Sequence, residues 1–174
     1  SGGGNSDKKE ESKYKCNNCN LIFNEKEEFI NHKIKCDIWE TSFIIYNIGT
    51  KKWSKNSSKW KRCRINTKVV EMNGFLYLIG GEYDNIPTNH VDIYDIQKKE
   101  WSDGIPMIEN RINFGVTTMK GKIYVIGGND GMNDLYTIEI FDPKKNKWKY
   151  GPIMDDNISR LNCISHGDNI YICG

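Results

Sequence analysis

The sequence predicts a mainly β chain, its strands grouped as successive blades of a propeller and preceded by one small metal-stapled unit. Three observations carry this reading. An apolar run ending in a glycine doublet, "GFLYLIGG" at 74–81, returns as "GKIYVIGG" at 121–128, 47 residues on. Between the doublets lie short alternating apolar segments of strand length. Near the start, Cys16, Cys19, His32 and Cys36 fall at the spacing C-x2-C-x12-H-x3-C, which suits tetrahedral zinc.

Bulk composition sets the limits. The 174 residues are 37% apolar and 28% charged, a polar mixture with enough Ile, Tyr and Trp for a packed core. Lys, Asn and Ile are used heavily throughout, which weakens any argument from one Lys or one Asn. A net charge of +2 argues against strong global affinity for nucleic acid or anionic membrane. No apolar run reaches the length of a membrane span, and no signal-like N-terminus is visible, so no membrane partner is expected. Of the six cysteines, three crowd into the opening motif while Cys63, Cys163 and Cys173 are scattered. That distribution predicts reduced thiols and an intracellular protein of the cytoplasm or nucleus.

Taken in order, residues 1–13 ("SGGGNSDKKEESK") are Gly, Ser and charge and are expected to be a disordered tail. Residues 14–36 form the metal-stapled unit. Cys16 and Cys19 would sit on a tight turn, and His32 and Cys36, four apart, on one helical face. Asn24 is placed to cap that helix with Glu27 at its third position, and Glu25, Glu27 and Glu28 occupy the first turn, where the helix dipole favours carboxylates. Tyr14, Phe23 and Phe29 supply the apolar contacts. These residues resemble a ββα zinc finger of the C2HC type, with Cys36 in place of the usual last histidine; the resemblance implies bound Zn2+. In fingers that read DNA, base contacts come from the start of the helix. Here those positions are Glu25, Glu27, Glu28 and Asn31, which repel phosphate and lack the Arg–guanine pairing. The expected zinc is therefore structural or protein-binding. Residues 37–42 ("DIWETS") make a joint too short for free swinging, and Ile38 or Trp39 is expected to dock the finger on the first blade.

The repeat accounts for residues 43–174. Tyr94 in "VDIYDIQKKEW" corresponds to Phe141 in "IEIFDPKKNKW", Trp101 to Trp148, Met107 to Met154 and Arg64 to Arg111. Upstream, "IIYNIGTKKW" places Tyr46 and Trp53 one period earlier, and Tyr171 and Gly174 open the next copy. A period of 40–50 residues with alternating strands signals propeller blades. The expected blades are an outer half at 43–57, full blades at 67–104 and 114–151, and an inner half at 161–174. Innermost strands are "TKVVEM" and "FGVTTM", then "FLYLIGG" and "KIYVIGG", then "HVDIYD" and "TIEIFD", with "EWSDG" and "KWKYG" at the outer edge. An apolar run, Gly-Gly, a spaced Tyr or Phe and then Trp resemble kelch repeats. Twelve strands amount to three blades, fewer than the four or more a closed ring needs. The remaining blades are expected from a longer parent chain, or from a second copy in a six-bladed ring. The outer half at the start would complete a blade begun at the far C-terminus, as is common in the family.

Kelch resemblance also implies a partner face, formed by the loops within blades (82–89 and 129–134) and between blades (55–66, 105–113 and 152–160). The candidate partner-binding residues are Arg64, Arg111 and Arg160, near matching points of the between-blade loops, with Tyr83, His90 and Asn129 on the within-blade loops. The register of Arg64 with Arg111 fits a structural donor to neighbouring backbone equally well. Residues 51–68 carry eight Lys or Arg and no acid, with two tryptophans among them. Such a stretch can bind an acidic peptide, or single-stranded nucleic acid by stacking, although Trp53 is already explained by the repeat. No catalytic motif is present: HExxH, GxSxG and the P-loop are missing, and His90 and His166 have no metal-binding partner at close spacing. The expectation is a non-enzymatic interaction scaffold or adaptor. Resemblance extends this to a substrate receptor of a ubiquitin ligase, without the usual BTB segment. The rival readings are a nucleic-acid-binding protein and, less favoured, an oxidase-type propeller.

Overall fold

Alternation at a period of two builds the long strands of this chain, and tight turns between them keep neighbours antiparallel. A computed structural model describes residues 13–15, 22–31, 44–56, 64–155 and 160–174, and the chain divides into two units, Ser1–Cys63 and Arg64–Gly174. Residues 1–12 of the expected tail, the joint at 37–42 and all four expected zinc ligands lie outside the described residues.

In the first unit, β1 (Tyr14–Lys15) pairs antiparallel with β2 (Ile22–Phe23), Tyr14 opposite Phe23. Residues 26–31 are helical. The first intrahelical bond runs from Phe29 N–H to the Glu25 carbonyl at 3.2 Å. It places the helix start one residue past the Asn24 cap expected from sequence, within the usual ambiguity of helix ends. Phe29 stacks on Tyr14 at 5.7 Å and meets Phe23 at 6.1 Å, so the three expected apolar residues do form one cluster. Further on, β3 (Ile44–Asn47) and β4 (Lys52–Lys55) make a hairpin with Tyr46 opposite Trp53.

The second unit holds two complete four-stranded meanders. The first runs β5 (Lys68–Met72), β6 (Phe75–Ile79), β9 (Val91–Asp95) and β10 (Glu100–Asp103). The second runs β11 (Gly115–Met119), β12 (Lys122–Ile126), β13 (Ile138–Asp142) and β14 (Lys147–Tyr150). A final hairpin joins β15 (Asn162–His166) to β16 (Asn169–Cys173). The registers repeat at the sequence period: Leu76 faces Tyr94 as Ile123 faces Phe141, and Tyr94 faces Trp101 as Phe141 faces Trp148. Two-residue turns at Asn73–Gly74 and Lys120–Gly121 have positive φ at both positions, the geometry that matches strand twist.

The loop at 82–89 contains more structure than the sequence suggested. It folds into its own hairpin, β7 (Glu82–Tyr83) with β8 (Ile86–Pro87), around Asp84 and Asn85 at φ 45° and 65°. Asp-Asn tolerates the left-handed backbone such a turn requires.

Inner strands β5, β11 and β15 lie side by side. Ser165 ties two of them, its N–H on Thr117 Oγ1 at 3.1 Å and its hydroxyl on the Thr118 carbonyl at 2.7 Å. Between the two full blades sits the core: Ile79, Phe114, Ile123 and Val125 are completely buried, with Tyr77 6.0 Å from Phe141. The aromatic pair of each blade recurs at nearly one spacing, 4.8 Å for Tyr46–Trp53, 5.0 Å for Tyr94–Trp101 and 5.1 Å for Phe141–Trp148. Trp148 is buried, whereas Trp53 is 69% exposed.

Candidate functional site: the loop face

At one end of the blades, the loops after the second strands and the loops between blades are stitched into a continuous rim. Ile65 exchanges both backbone hydrogen bonds with Glu82, at 3.2 and 3.0 Å, and Ile112 does the same with Asn129 one period later, at 3.0 and 2.9 Å. Neighbouring blades are then linked, since Gly81 N–H reaches the Arg111 carbonyl at 3.0 Å and Arg111 N–H the Thr88 carbonyl at 3.1 Å. Within each repeat the following loop is also fastened back, Met107 N–H on the Asn89 carbonyl and Met154 N–H on the Tyr136 carbonyl, both at 2.9 Å.

Close approach explains the second glycine of each doublet. Gly81 and Gly128 adopt φ of 87° and 90°, and a Cβ there would lie 2.5 Å from the Ile65 and Ile112 carbonyl oxygens respectively. Only glycine permits both the backbone conformation and the contact.

Two buried arginines hold the rim from below. Arg64 donates from Nη1 to the carbonyls of Gly80 (2.8 Å) and His90 (2.6 Å), and from Nη2 to Leu78 and to the Asp92 carboxylate. Arg111, fully buried, repeats the pattern 47 residues later. Its Nη1 donates to the carbonyls of Gly127 (2.7 Å) and Thr137 (3.1 Å), its Nε to Glu139 (3.1 Å), and its Nη2 to Glu109 (2.5 Å) and Thr137 Oγ1 (2.6 Å). Glu139, also fully buried, accepts in addition the N–H groups of Ile108 (2.6 Å) and Glu109 (3.1 Å). The planar five-donor fork of Arg suits this role, and a Lys would not span it. The acid partners Asp92 and Glu139 are themselves one period apart, a signal present in "VDIYD" and "IEIFD" but passed over in reading the sequence.

The other expected site residues divide by exposure. Tyr83 is buried and meets His90 edge-on at 6.0 Å, while His90 Nδ1 bonds Thr88 Oγ1 at 2.5 Å. Asn129 is half-buried and shapes its own loop, donating to Asp134 (3.0 Å) and accepting from Gly131 N–H (2.7 Å). Arg160 is exposed and is not a third copy of the buried arginines. Its φ of 57° matches Asn66 (57°) and Asn113 (56°), each one period from the next, so it stands at a different point of the repeat from Arg64 and Arg111.

Solvent-facing residues of this end went unnoticed in the sequence. Met132 is 92% exposed, Ile153 70%, Ile86 69%, Tyr136 50% and Ile108 46%. At the opposite end, the turns at 73–74, 96–99, 120–121, 143–146 and 167–168 carry one exposed large apolar residue, Ile96. Apolar side chains gathered on one end, above a rigid hydrogen-bonded rim, mark an interaction surface more than a solvated one.

No group of three or more His, Cys, Asp or Glu that could hold a metal ion occurs among the described residues. The finger ligands fall outside them. The described ββα cluster fits a zinc unit in two respects: β1 and β2 flank Cys16 and Cys19 in sequence, and the described helical residues 26–31 directly precede His32 in sequence. No described helix is long and apolar enough to cross a membrane.

The Kelch motif matches the chain twice, over residues 63–107 and 110–155, about half its length. Each match includes one of the buried arginines, Arg64 in the first and Arg111 in the second. No curated protein matches the chain.

Proposed function

The chain belongs to the kelch-repeat family, and on that premise we propose that it is a scaffold or adaptor that docks a protein partner on the loop face. Kelch repeats in general mediate protein binding. The observation that supports this face is the concentration of exposed apolar residues on loops tied together by backbone hydrogen bonds. In this reading Arg64, Arg111 and Tyr83 fix the loops, His90 and Asn129 shape them, and Arg160 is free to meet a partner at the rim. The zinc finger, with Zn2+ on Cys16, Cys19, His32 and Cys36, is a structural or second protein-binding unit. Service as a ubiquitin-ligase substrate receptor is a narrower form of the same proposal. In this reading the hairpins β3–β4 and β15–β16 are an outer and an inner half of propeller blades.

A pull-down with the full chain tests this, comparing wild type with Met132→Ser/Tyr136→Ser and with nuclease-treated lysate. Proteins that are lost with the variant and retained after nuclease support the proposal. Binding that survives the variant and disappears with nuclease would favour the nucleic-acid reading, which rests on exposed Trp53 beside Lys52 and Lys55.

A further inference from the structure

The charges of the second unit are sorted between its two ends. On the loop face the described loops of the second unit carry Asp84, Asp130, Asp134 and Asp155, and Arg160 is their one exposed cation. Arg64 and Arg111 do not offset these acids, because both are buried and paired with carboxylates of their own. Asp130 is held ionised by its surroundings: the N–H groups of Asn133 (2.7 Å) and Met132 (2.8 Å) donate to it and keep its carboxyl below the usual aspartate range. The turns at the opposite end hold Lys98, Lys99, Lys120, Lys144 and Lys145 against a single acid, Asp168.

The exposed apolar residues share the acidic end. Met132 sits between Asp130 and Asp134, and Ile86 lies two residues from Asp84. The two tips approach each other, since a Cβ on Gly131 would come 3.1 Å from Pro87. Apolar anchors ringed by carboxylates select by both area and sign. A complementary partner gains attraction and faster encounter, and a like-charged one is repelled.

We propose that the loop face binds a basic peptide segment that carries large apolar side chains. This rests on the reading of that face as a protein-docking surface and adds the chemistry of the occupant. Acidic peptides and nucleic-acid backbones are disfavoured there by the same charges.

The test uses the full chain and three short synthetic peptides with identical Trp, Leu and Met positions. Their remaining positions are Lys/Arg, Gln or Glu. A fourth peptide keeps the Lys and lacks the apolar residues. Fluorescence anisotropy is read at low and at physiological salt. The basic apolar peptide is expected to bind about tenfold or more tightly than the Gln version, to weaken as salt rises, and to exceed the Lys peptide without anchors. Replacing Asp84, Asp130, Asp134 and Asp155 together by Asn preserves the side-chain carbonyl acceptors and should abolish the preference for positive charge. Met132→Ser, at a nearly fully exposed position, should weaken all binding to the face. The inference is overturned if the basic peptide does not bind, if it binds no better than the Gln or Glu versions, or if the fourfold Asn variant leaves its affinity unchanged. A Gln or Glu peptide that binds and is lost with Met132→Ser would sink the basic partner while leaving the docking face intact. Binding of every peptide that ignores Met132→Ser would sink both.

Discussion

Replacing Arg111 by Met should be among the most damaging single changes in the second unit. The guanidinium is completely buried and meets two carbonyls, one hydroxyl and two carboxylates. Methionine fills similar volume without donors. It leaves Glu139, itself fully buried, with an uncompensated charge and takes the guanidinium donor from the Gly127 carbonyl, while the Thr137 carbonyl keeps the Gly127 N–H at 3.1 Å. Breaking one side of a buried ion pair costs about 3–5 kcal/mol. The N–H groups of Ile108 and Glu109 still serve Glu139, which places the expected loss toward the lower end, about 3 kcal/mol. Against a total stability of about 5–15 kcal/mol, that is a large fraction. Urea unfolding of the full chain measures it through the midpoint. Glu139→Gln in the Arg111→Met background should recover only part of the loss, about 1 kcal/mol, because it removes the stranded charge but keeps an acceptor for one of the two N–H groups, Ile108 and Glu109 bonding different oxygens of Glu139. A loss below about 0.5 kcal/mol, the scale of an ordinary surface change, would refute the claim that Arg111 is structural and return it to the set of direct partner contacts.

Three further outcomes follow from the same geometry. Gly128→Ala should cost about 3 kcal/mol in thermal or urea unfolding, since the left-handed backbone and a carbonyl 2.5 Å from the new Cβ act together; Gly121→Ala, with open space around it, should cost only about 1 kcal/mol. Burial pushes the Cys163 thiol from 9.0 up to about 11, so mapped iodoacetamide labelling should be slow at pH 8 relative to exposed Cys173 and quicken up to about pH 11. The folded state retains a proton that the unfolded state releases, so the stability linked to Cys163 is present below about pH 9 and lost as pH rises toward 11; equal labelling at pH 8 would contradict this. Metal analysis should find one zinc per chain, lost with Cys16→Ser or His32→Ala, and chelation should release the Tyr14–Phe29 stacking seen by near-UV dichroism while leaving the blade strands in place; a metal-free chain with unchanged dichroism would remove the zinc proposal.

The blades were legible because their signals recur. Strand positions, the glycine doublets and the Tyr/Phe–Trp pairs follow from alternation plus a 47-residue period, and the observed registers repeat at that period. The candidate site was legible only in part, and for the same reason. Residues that recur between repeats are those every blade needs for its own packing, as Arg64 and Arg111 show. Residues that face solvent on the loop face differ between repeats: Ile86 corresponds to Asn133, Met132 to Asn85, Tyr136 to Asn89 and Ile108 to Asp155. A search for recurrence passes over them, although the contrast of an apolar residue in one copy with a polar one in the next was available in the sequence. Arg160 misled through proximity, two residues off the register of the other arginines. The β7–β8 hairpin was missed because Asp84–Asn85 is a weaker turn signal than Asn-Gly.

Site-specific photo-crosslinking tests the central claim most directly. A photoreactive residue is placed at position 132 on the loop face or at position 99 in the opposite turns, each in the full chain, and adducts formed in lysate are identified by mass spectrometry. A protein that crosslinks from 132, does not crosslink from 99, and is displaced by unlabelled chain but not by unlabelled Met132→Ser/Tyr136→Ser is the predicted result. Adducts that form equally from both positions, or only from 99, would contradict the assignment of the loop face as the docking surface.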